Sequence, residues 1–419
     1  MRATQTTTYR SLQAFLDRTS DKLASLQLQA ATGKRINRPS DDPTAISPML
    51  SARTQIQTSD RYIETIATGL DRINNADGYI DGLENTMVRM KEINIATING
   101  SLSDVDMKTF ADEVHQLRAS LIDSANAQID GKYLFSGFAE KTEPFTLNPA
   151  YDPALYDEAD RTTYPVLYNG DSGQVEYEIA PNELIKVNAL GNEFMMGDFN
   201  HNGVVDSGAQ DVFVLITQLE EALRAGTQPT IANITVPYSA GPPVVAQEQA
   251  IDLSNTSVAP GRSLTLTIAG AEHVFTNNTG ATLANNLLAA AMAGMAIPNY
   301  ALANVAPATL TFAQTPGNEA DIDPISLTNN TLMELLGPFE KGADQIRAQR
   351  SFGGNVGKRL ETASSHMEQI KIDMEEFRSR YEDADILKTI TEMEKQQMSF
   401  EAALSVTGKV SELSILNYI

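Results

Sequence analysis

VGKRLETASSHMEQIKIDMEEFRSRYEDA occupies residues 356–384. Its apolar positions Val356, Leu360, Ala363, Met367, Ile370, Met374, Phe377, Tyr381 and Ala384 step alternately by four and three. A helix turns once in about 3.6 residues, so this alternation lays them all on one stripe. A helix with a single apolar stripe must bury it against a partner of the same spacing. The segment therefore predicts a helical bundle and sends the reading outward in search of the partner.

Both directions supply one. Downstream, past the acidic interruption Glu382, Asp383 and Asp385, come Ile390, Met393, Phe400 and Leu404, then Val406, Val410, Leu413 and Leu416. At the other end of the chain, Leu12, Leu16, Thr19, Leu23, Leu26 and Ala30 repeat the four–three spacing. GKRINRPSDDP (33–43) breaks that stripe. Gly33 suits the residue just past a helix end, and two prolines forbid continuation. Ser40 or Asp41 is the expected cap of a second helix, which runs through Met49, Ala52, Ile56, Ile63, Ile66, Leu70 and Ile73. Its stripe then changes phase into Ile80, Leu83, Met87 and Met90, and a third helix carries Phe110, Val114, Leu117 and Leu121. On spacing alone these stripes fit an ordinary bundle core as well as an assembly seam.

Residues 141–330 have a different texture. They hold most of the proline, glycine and β-branched alternation, with five Lys and Arg against 21 Asp and Glu. YPVLY (164–168), QVEYEIA (174–180) and ELIKVNAL (183–190) read as strands. SLTLTIAG (263–270) and ATLTFAQ (308–314) flank ATLANNLLAAAMAGMA (281–296) as a strand–helix–strand unit. The expected fold is a mainly α coiled-coil bundle formed by both chain ends, with an inserted β-rich, α+β outer region. The expected divisions are 1–40 with 385–419 as a terminal coiled coil, 41–140 with 331–384 as a helical bundle, and outer subdomains at 141–228 and 229–330.

Composition narrows the chemistry. The 419 residues include no Cys, no Trp and four His, with a formal charge of −23. Disulfides, thiol catalysis and thiolate metal sites are excluded. The acidity argues against nucleic acid or an anionic membrane as partner, since both need a basic face. No unbroken apolar stretch of a secretory signal opens the chain, which leaves cytoplasmic residence or export without a cleaved signal. SFGGNVGKR (351–359) lacks the spacing and the Ser/Thr after Lys358 of a phosphate loop, and reads as the beginning of the long C-terminal helix. No HExxH, GxSxG or GxGxxG occurs, so no catalytic residues and no certain cofactor are assigned. An enzyme or adhesin carried in the insertion is an alternative without a catalytic constellation to support it.

One loop suggests a metal. DFNHNGVVD (198–206) offers Asp198, Asn200, Asn202, the carbonyl of Val204, and Asp206 at the positions of a calcium loop, with Gly203 at the sharp turn. Ala209 stands where the bidentate Glu belongs, and Asp211 is the substitute ligand. The expectation is a structural calcium; the competing one is an Asx-rich turn without metal.

GKRINRPSDDPTAI (33–46), NAQIDGKYLFSGF (126–138), SRYEDADIL (379–387) and AALSVTGKVSELSILNYI (402–419) together resemble the bacterial flagellin superfamily. The forms Asn37-Arg38-Pro39-Ser40-Asp41-Asp42-Pro43 and Tyr133-Leu134-Phe135-Ser136-Gly137 are similar to its hook-associated branch rather than to filament flagellin. DVFVLITQLEEALRAG (211–226) looks like the amphipathic helix closing the first outer region of that family, while 229–310 matches nothing familiar. The resemblance implies a non-catalytic, extracellular flagellar subunit at the hook–filament junction, exported without a cleaved signal by the flagellar type III apparatus. It implies self-assembly into a ring, contacts with FlgK and with flagellin, and an export chaperone, FlgN, on the C-terminal region. The assembly seam would be Leu12, Leu16, Leu23, Leu26, Phe400, Leu404, Val410, Leu413 and Leu416. Filament flagellin itself is the alternative.

Overall fold

The computed structural model describes residues 2–99, 102–226 and 230–416, and side chains outside 2–6, 8, 99, 104 and 410–416. Helices α1 (Arg2–Thr32), α2 (Pro43–Asn99) and α3 (Asp104–Ala125) come first. Helices α4 (Gly191–Met196), α5 (Val212–Ala225) and α6 (Asn285–Ala293) lie in the insertion, and α7 (Thr331–Glu334), α8 (Leu336–Glu382) and α9 (Ile386–Leu416) close the chain. Long terminal helices with a β-rich centre make the α+β architecture that the periodicity predicts. Among the described residues no helix is long and apolar enough to cross a membrane.

The chain divides into two compact units, 1–67 with 179–181 and 361–419, and 68–178 with 182–360. The boundaries fall inside α2 and α8, not at 40 and 385 where the turns suggested them. SFGGNVGKR lies within α8 and does not begin it.

In the first unit α1 packs against α9. Thr19 and Leu26 are buried, and Leu12, Leu16 and Leu23 are half-buried on the same stripe. The stripe of α8 here is Met367, buried, with Ile370, Met374, Phe377 and Tyr381 half-buried. In α2 the buried positions are Ala45, Met49, Ala52, Ile56, Ser59, Tyr62 and Ile66. Ile63, expected on this stripe, yields to Tyr62. Two successive steps of three, at 56–59–62, advance the phase there, earlier in the chain than the expected shift after Ile73.

The second unit has two cores. The first joins the Ile80, Leu83, Met87 and Met90 stripe of α2 to α3, to Phe145, Tyr164 and Phe194, to α5, and to Leu335, Phe339 and Ile346. It runs across residue 140, so 141–226 shares the bundle's core and is not a free-standing subdomain. Helix α5 explains why: Val212, Phe213, Leu215, Ile216, Leu219 and Leu223 are all buried. Asp130 and Gly131, both at positive φ, turn the short pairing of Gln128–Ile129 with Lys132–Tyr133 and deliver Phe135 to this core.

The second core fills the domain after residue 230. Two four-stranded antiparallel sheets form it, in the orders 271–276, 263–268, 326–329, 230–231 and 300–305, 309–314, 248–252, 233–236. Leu264, Leu266 and Ile268 alternate inward from one sheet, Leu310 and Phe312 from the other, and α6 adds Leu288 and Met292. The strands 263–268 and 309–314 thus belong to different sheets, where the sequence suggested one strand–helix–strand unit.

Candidate assembly site

The turn between α1 and α2 closes on the turn between α8 and α9. Gly33, at φ +70, ends α1, and its N–H donates to the Gln29 carbonyl at 2.9 Å. Arg35 N–H donates to the Glu382 carbonyl at 2.7 Å, and Ala384 N–H to the Gly33 carbonyl at 2.9 Å. The Arg35 guanidinium reaches the Tyr381 carbonyl at 2.7 Å and pairs with Asp42 at 3.1 Å.

The acids of this motif divide their work. Asp41 Oδ2 accepts from the N–H groups of Asn37 and Arg38, at 2.9 and 2.8 Å. Those bonds hold its carboxyl below the usual range. Asp42, not Ser40 or Asp41, caps α2, accepting from the Thr44 hydroxyl at 2.7 Å and its N–H at 3.2 Å, with Pro43 as first helical residue. The prolines exclude two backbone donors and so leave the capping geometry to the residue just before the helix.

Glu382 is the centre. Its side chain is 3 % exposed, and Oε1 meets Lys34 Nζ and an Arg53 Nη, each at 2.6 Å. Arg378 approaches Oε2 at 3.5 Å. Burial alone would raise this carboxyl, but hydrogen bonds from Lys34 and Arg53 outweigh it and hold it below its ordinary value. The cluster fastens two helical hairpins together.

The seam residues are brought together only in part. Phe400 is half-buried, whereas Leu404 is 48 % exposed. The shielded stripe of α9 is Thr389, Met393, Gln396, Phe400, Ala403 and Thr407; Leu404, Ile390 and Val406 are exposed beside or away from it. Sequence reading missed Thr389 and Ala403, both buried, because one is polar and the other small. The side chains of Val410, Leu413 and Leu416 lie outside the described residues.

The 198–206 loop satisfies itself. Asp198 Oδ1 accepts from Asn202 N–H at 2.9 Å, and Oδ2 from Gly203 N–H at 3.1 Å. Asn202 Oδ1 accepts from Val204 N–H at 2.9 Å. Asp206 Oδ2 accepts from the N–H groups of Phe199 and Asn200, at 2.8 and 3.0 Å, and Asn200 Nδ2 donates to Oδ1. A guanidinium, from Arg161, pairs with Asp198 at 3.3 Å. Asp211 does something else: it caps α5, accepting from Phe213 and Val214 N–H groups at 2.8 and 3.0 Å. Burial pushes its carboxyl up to about 7. Among the described residues no three His, Cys, Asp or Glu side chains gather as metal ligands.

Two family descriptions match the chain: the bacterial flagellin N-terminal helical region over residues 4–140 and the bacterial flagellin C-terminal helical region over 337–419. The chain is 31% identical over 121 residues to flagellar hook-associated protein 3 of Escherichia coli, which is 28% of this chain and 38% of that relative. It is 22% identical over 402 residues to polar flagellin F of Vibrio parahaemolyticus, 96% of this chain and 94% of the relative. A solved FlgL of Xanthomonas campestris covers 76% of this chain, and 98% of that chain is covered, at 18% identity and a TM-score of 0.38. The two flagellin regions together take in more than half of the sequence, and they are the parts that meet at Glu382. The chain belongs to the bacterial flagellin family.

Proposed function

We propose that this chain is the non-catalytic subunit that joins the flagellar hook to the filament. The observation that carries the reading is the fastening at Glu382. It joins 33–43, whose residues take the hook-associated form, and Arg53 to 379–387, which resembles flagellins at large, and the similarity to hook-associated protein 3 supports the hook-associated branch. Copies of the chain form a ring through the α1 and α9 faces, with FlgK on the hook side and flagellin on the other. Before export through the flagellar apparatus, FlgN guards the apolar face of α9, as an amphipathic helix docks in a partner's groove. The work is mechanical: a subunit of this kind matches a curved hook to a stiffer filament.

Deleting the gene tests the reading. The expected cells carry complete hooks, lack filaments and release flagellin into the medium as monomer. Normal filaments in the deletion strain overturn it.

A second reading, filament flagellin, is favoured by the alignment with polar flagellin F along nearly the whole chain. Copy number in sheared filaments separates the two: thousands of copies per filament fit flagellin, a few per filament fit the junction.

A further inference from the structure

Among the described residues, the two four-stranded sheets after residue 230 present four edge strands, and three of them are blunted. The edge 271–276 carries Glu272 and His273, 230–231 is two residues long, and 233–236 is broken by a register shift between Ile234 and Val236. Charge, shortness and bulges are what ordinarily keep an edge from pairing with another chain. The fourth edge, Tyr300–Val305, has none of these. Its six residues, YALANV, include no charge and no proline and pair with 309–314 without a shift. We propose that this edge is an interaction surface for a second copy of the chain, the two strands pairing antiparallel about a two-fold axis at Ala303. The contact is independent of the structural role above.

The ladder decides which backbone groups stand free. Thr315 N–H donates to the Asn299 carbonyl at 2.9 Å, one step beyond the pair Tyr300 and Gln314. Bonded pairs alternate along an antiparallel ladder, so Ala301, Ala303 and Val305 bond to 309–314. Leu302 and Asn304 turn their N–H and C=O groups away from it, and among the described residues no backbone group of another segment meets them. In the two-fold pairing Leu302 exchanges both bonds with Asn304 of the second copy. Ala303 then lies opposite its own counterpart, and Ala301 opposite Val305, all on the exposed face.

The occupant must be a strand, because the groups to be met are donors and acceptors spaced along one. Modules that take a foreign peptide in this way read it with side-chain pockets. Here the exposed face offers two alanine methyls and a valine, which read nothing of a partner's sequence.

Charge selects the second copy. Each chain carries −23, so two copies repel over most of their surface. From Val274 to Asn318, however, 45 residues pass without Asp, Glu, Lys, Arg or His, in a chain of which 20% is charged. That run forms α6, the edge 300–305 and its partner 309–314, with Leu287 68% and Val305 49% exposed. Two copies meet there without like charges facing each other. A basic partner gains nothing at this edge, since the charge that attracts it lies elsewhere. Both strands are already folded, so pairing avoids the ordering cost of a free peptide.

Sedimentation velocity of the full chain over a concentration series tests the proposal, and the expected result is a reversible monomer–dimer equilibrium. Ala303→Lys sets two ammonium groups opposite each other and should raise the dissociation constant about fivefold. The melting temperature should not change, because residue 303 is exposed. The chain has no cysteine, so Ala303→Cys introduces a single thiol. An unbonded pair brings its Cα atoms to about 4.5 Å, within disulfide reach, so mild oxidation should give a covalent dimer. Val305→Cys, also exposed but opposite Ala301, should not. A monomer at every concentration, a dimer that Ala303→Lys does not weaken, or equal cross-linking at 303 and 305 overturns the proposal.

Discussion

An Arg53 Nη and Glu382 Oε1 stand 2.6 Å apart across 329 residues of chain. Lys34 shares the same oxygen, so one buried carboxylate ties the beginning of α2 and the end of α1 to the end of α8. Glu382→Ala leaves two cations without their partner. Both are nearly half exposed, which tempers the loss to about 1–3 kcal/mol, below the figure for a fully buried pair. Thermal melting and protease sensitivity within 33–43 read it.

Acid should act on the same contact. The Glu382 carboxyl titrates below its ordinary value of 4.5, so its contribution is complete above that pH. It disappears as the pH falls through the depressed value. The stability difference between wild type and Glu382→Gln should therefore shrink on acidification below about pH 4. A difference that stays constant to pH 3 would show that the carboxylate charge is not what matters.

Asp211 should behave in the opposite sense. Its folded value of about 7 lies above the ordinary 3.8, so between those two the native state holds the proton more tightly. Wild-type stability should fall as pH rises across that window. Asp211→Asn keeps an acceptor at the α5 cap and removes the titration, so its stability should be flatter with pH and higher at neutral pH. Chemical denaturation at several pH values measures both curves.

Burial grades the α8 stripe. Met367, 5 % exposed, should lose about 2–4 kcal/mol on truncation to alanine. Phe377 is half-buried against Tyr381, with ring centroids 5.1 Å apart, and should lose about 1–2 kcal/mol despite its larger side chain. Equal shifts in melting temperature would mean that the stripe is not graded in this way.

Calcium at millimolar concentration should leave the melting temperature unchanged, because Arg161 already neutralises Asp198 and the loop oxygens hold backbone donors. A rise in wild type that Asp198→Asn abolishes would establish a structural calcium there instead.

Leu404→Asp should leave the melting of the isolated chain unchanged, since that side chain is exposed, and should reduce incorporation into flagella. Phe400→Asp should impair both. Motility assays alongside calorimetry distinguish the two variants.

The stripe at 356–384 was legible because only one face of that helix is apolar. Helix α9 was not, because Ile390, Leu404 and Val406 are apolar yet exposed, while the shielded stripe is built partly from Thr389, Gln396 and Thr407. Periodicity reports that apolar residues recur, and it cannot find a buried stripe that is partly polar. The turn at 33–43 was legible from Gly33 and its prolines, yet its cap was displaced by one residue, since Ser40, Asp41 and Asp42 are all competent and only backbone geometry decides. Asp211 was misplaced as a ligand for a related reason. A carboxylate before a helix serves as cap or as metal ligand, and the choice rests on the apolar burial of α5 beside it.

The fastening at Glu382 also sets an order of events. Its closest donors, Lys34 and Arg53, come from the first 53 residues and its acceptor from position 382, while Arg378, near in sequence, stands farther off at 3.5 Å. A chain emerging end-first from a ribosome or a narrow conduit cannot close this contact until nearly all of it is free. Loops of such length delay the contacts that close them, and here the delay is imposed on one unit alone. The second unit can acquire its two cores from residues between 68 and 360 while the termini are still open. The last part of the molecule to become ordered is then the part that its neighbours would meet first.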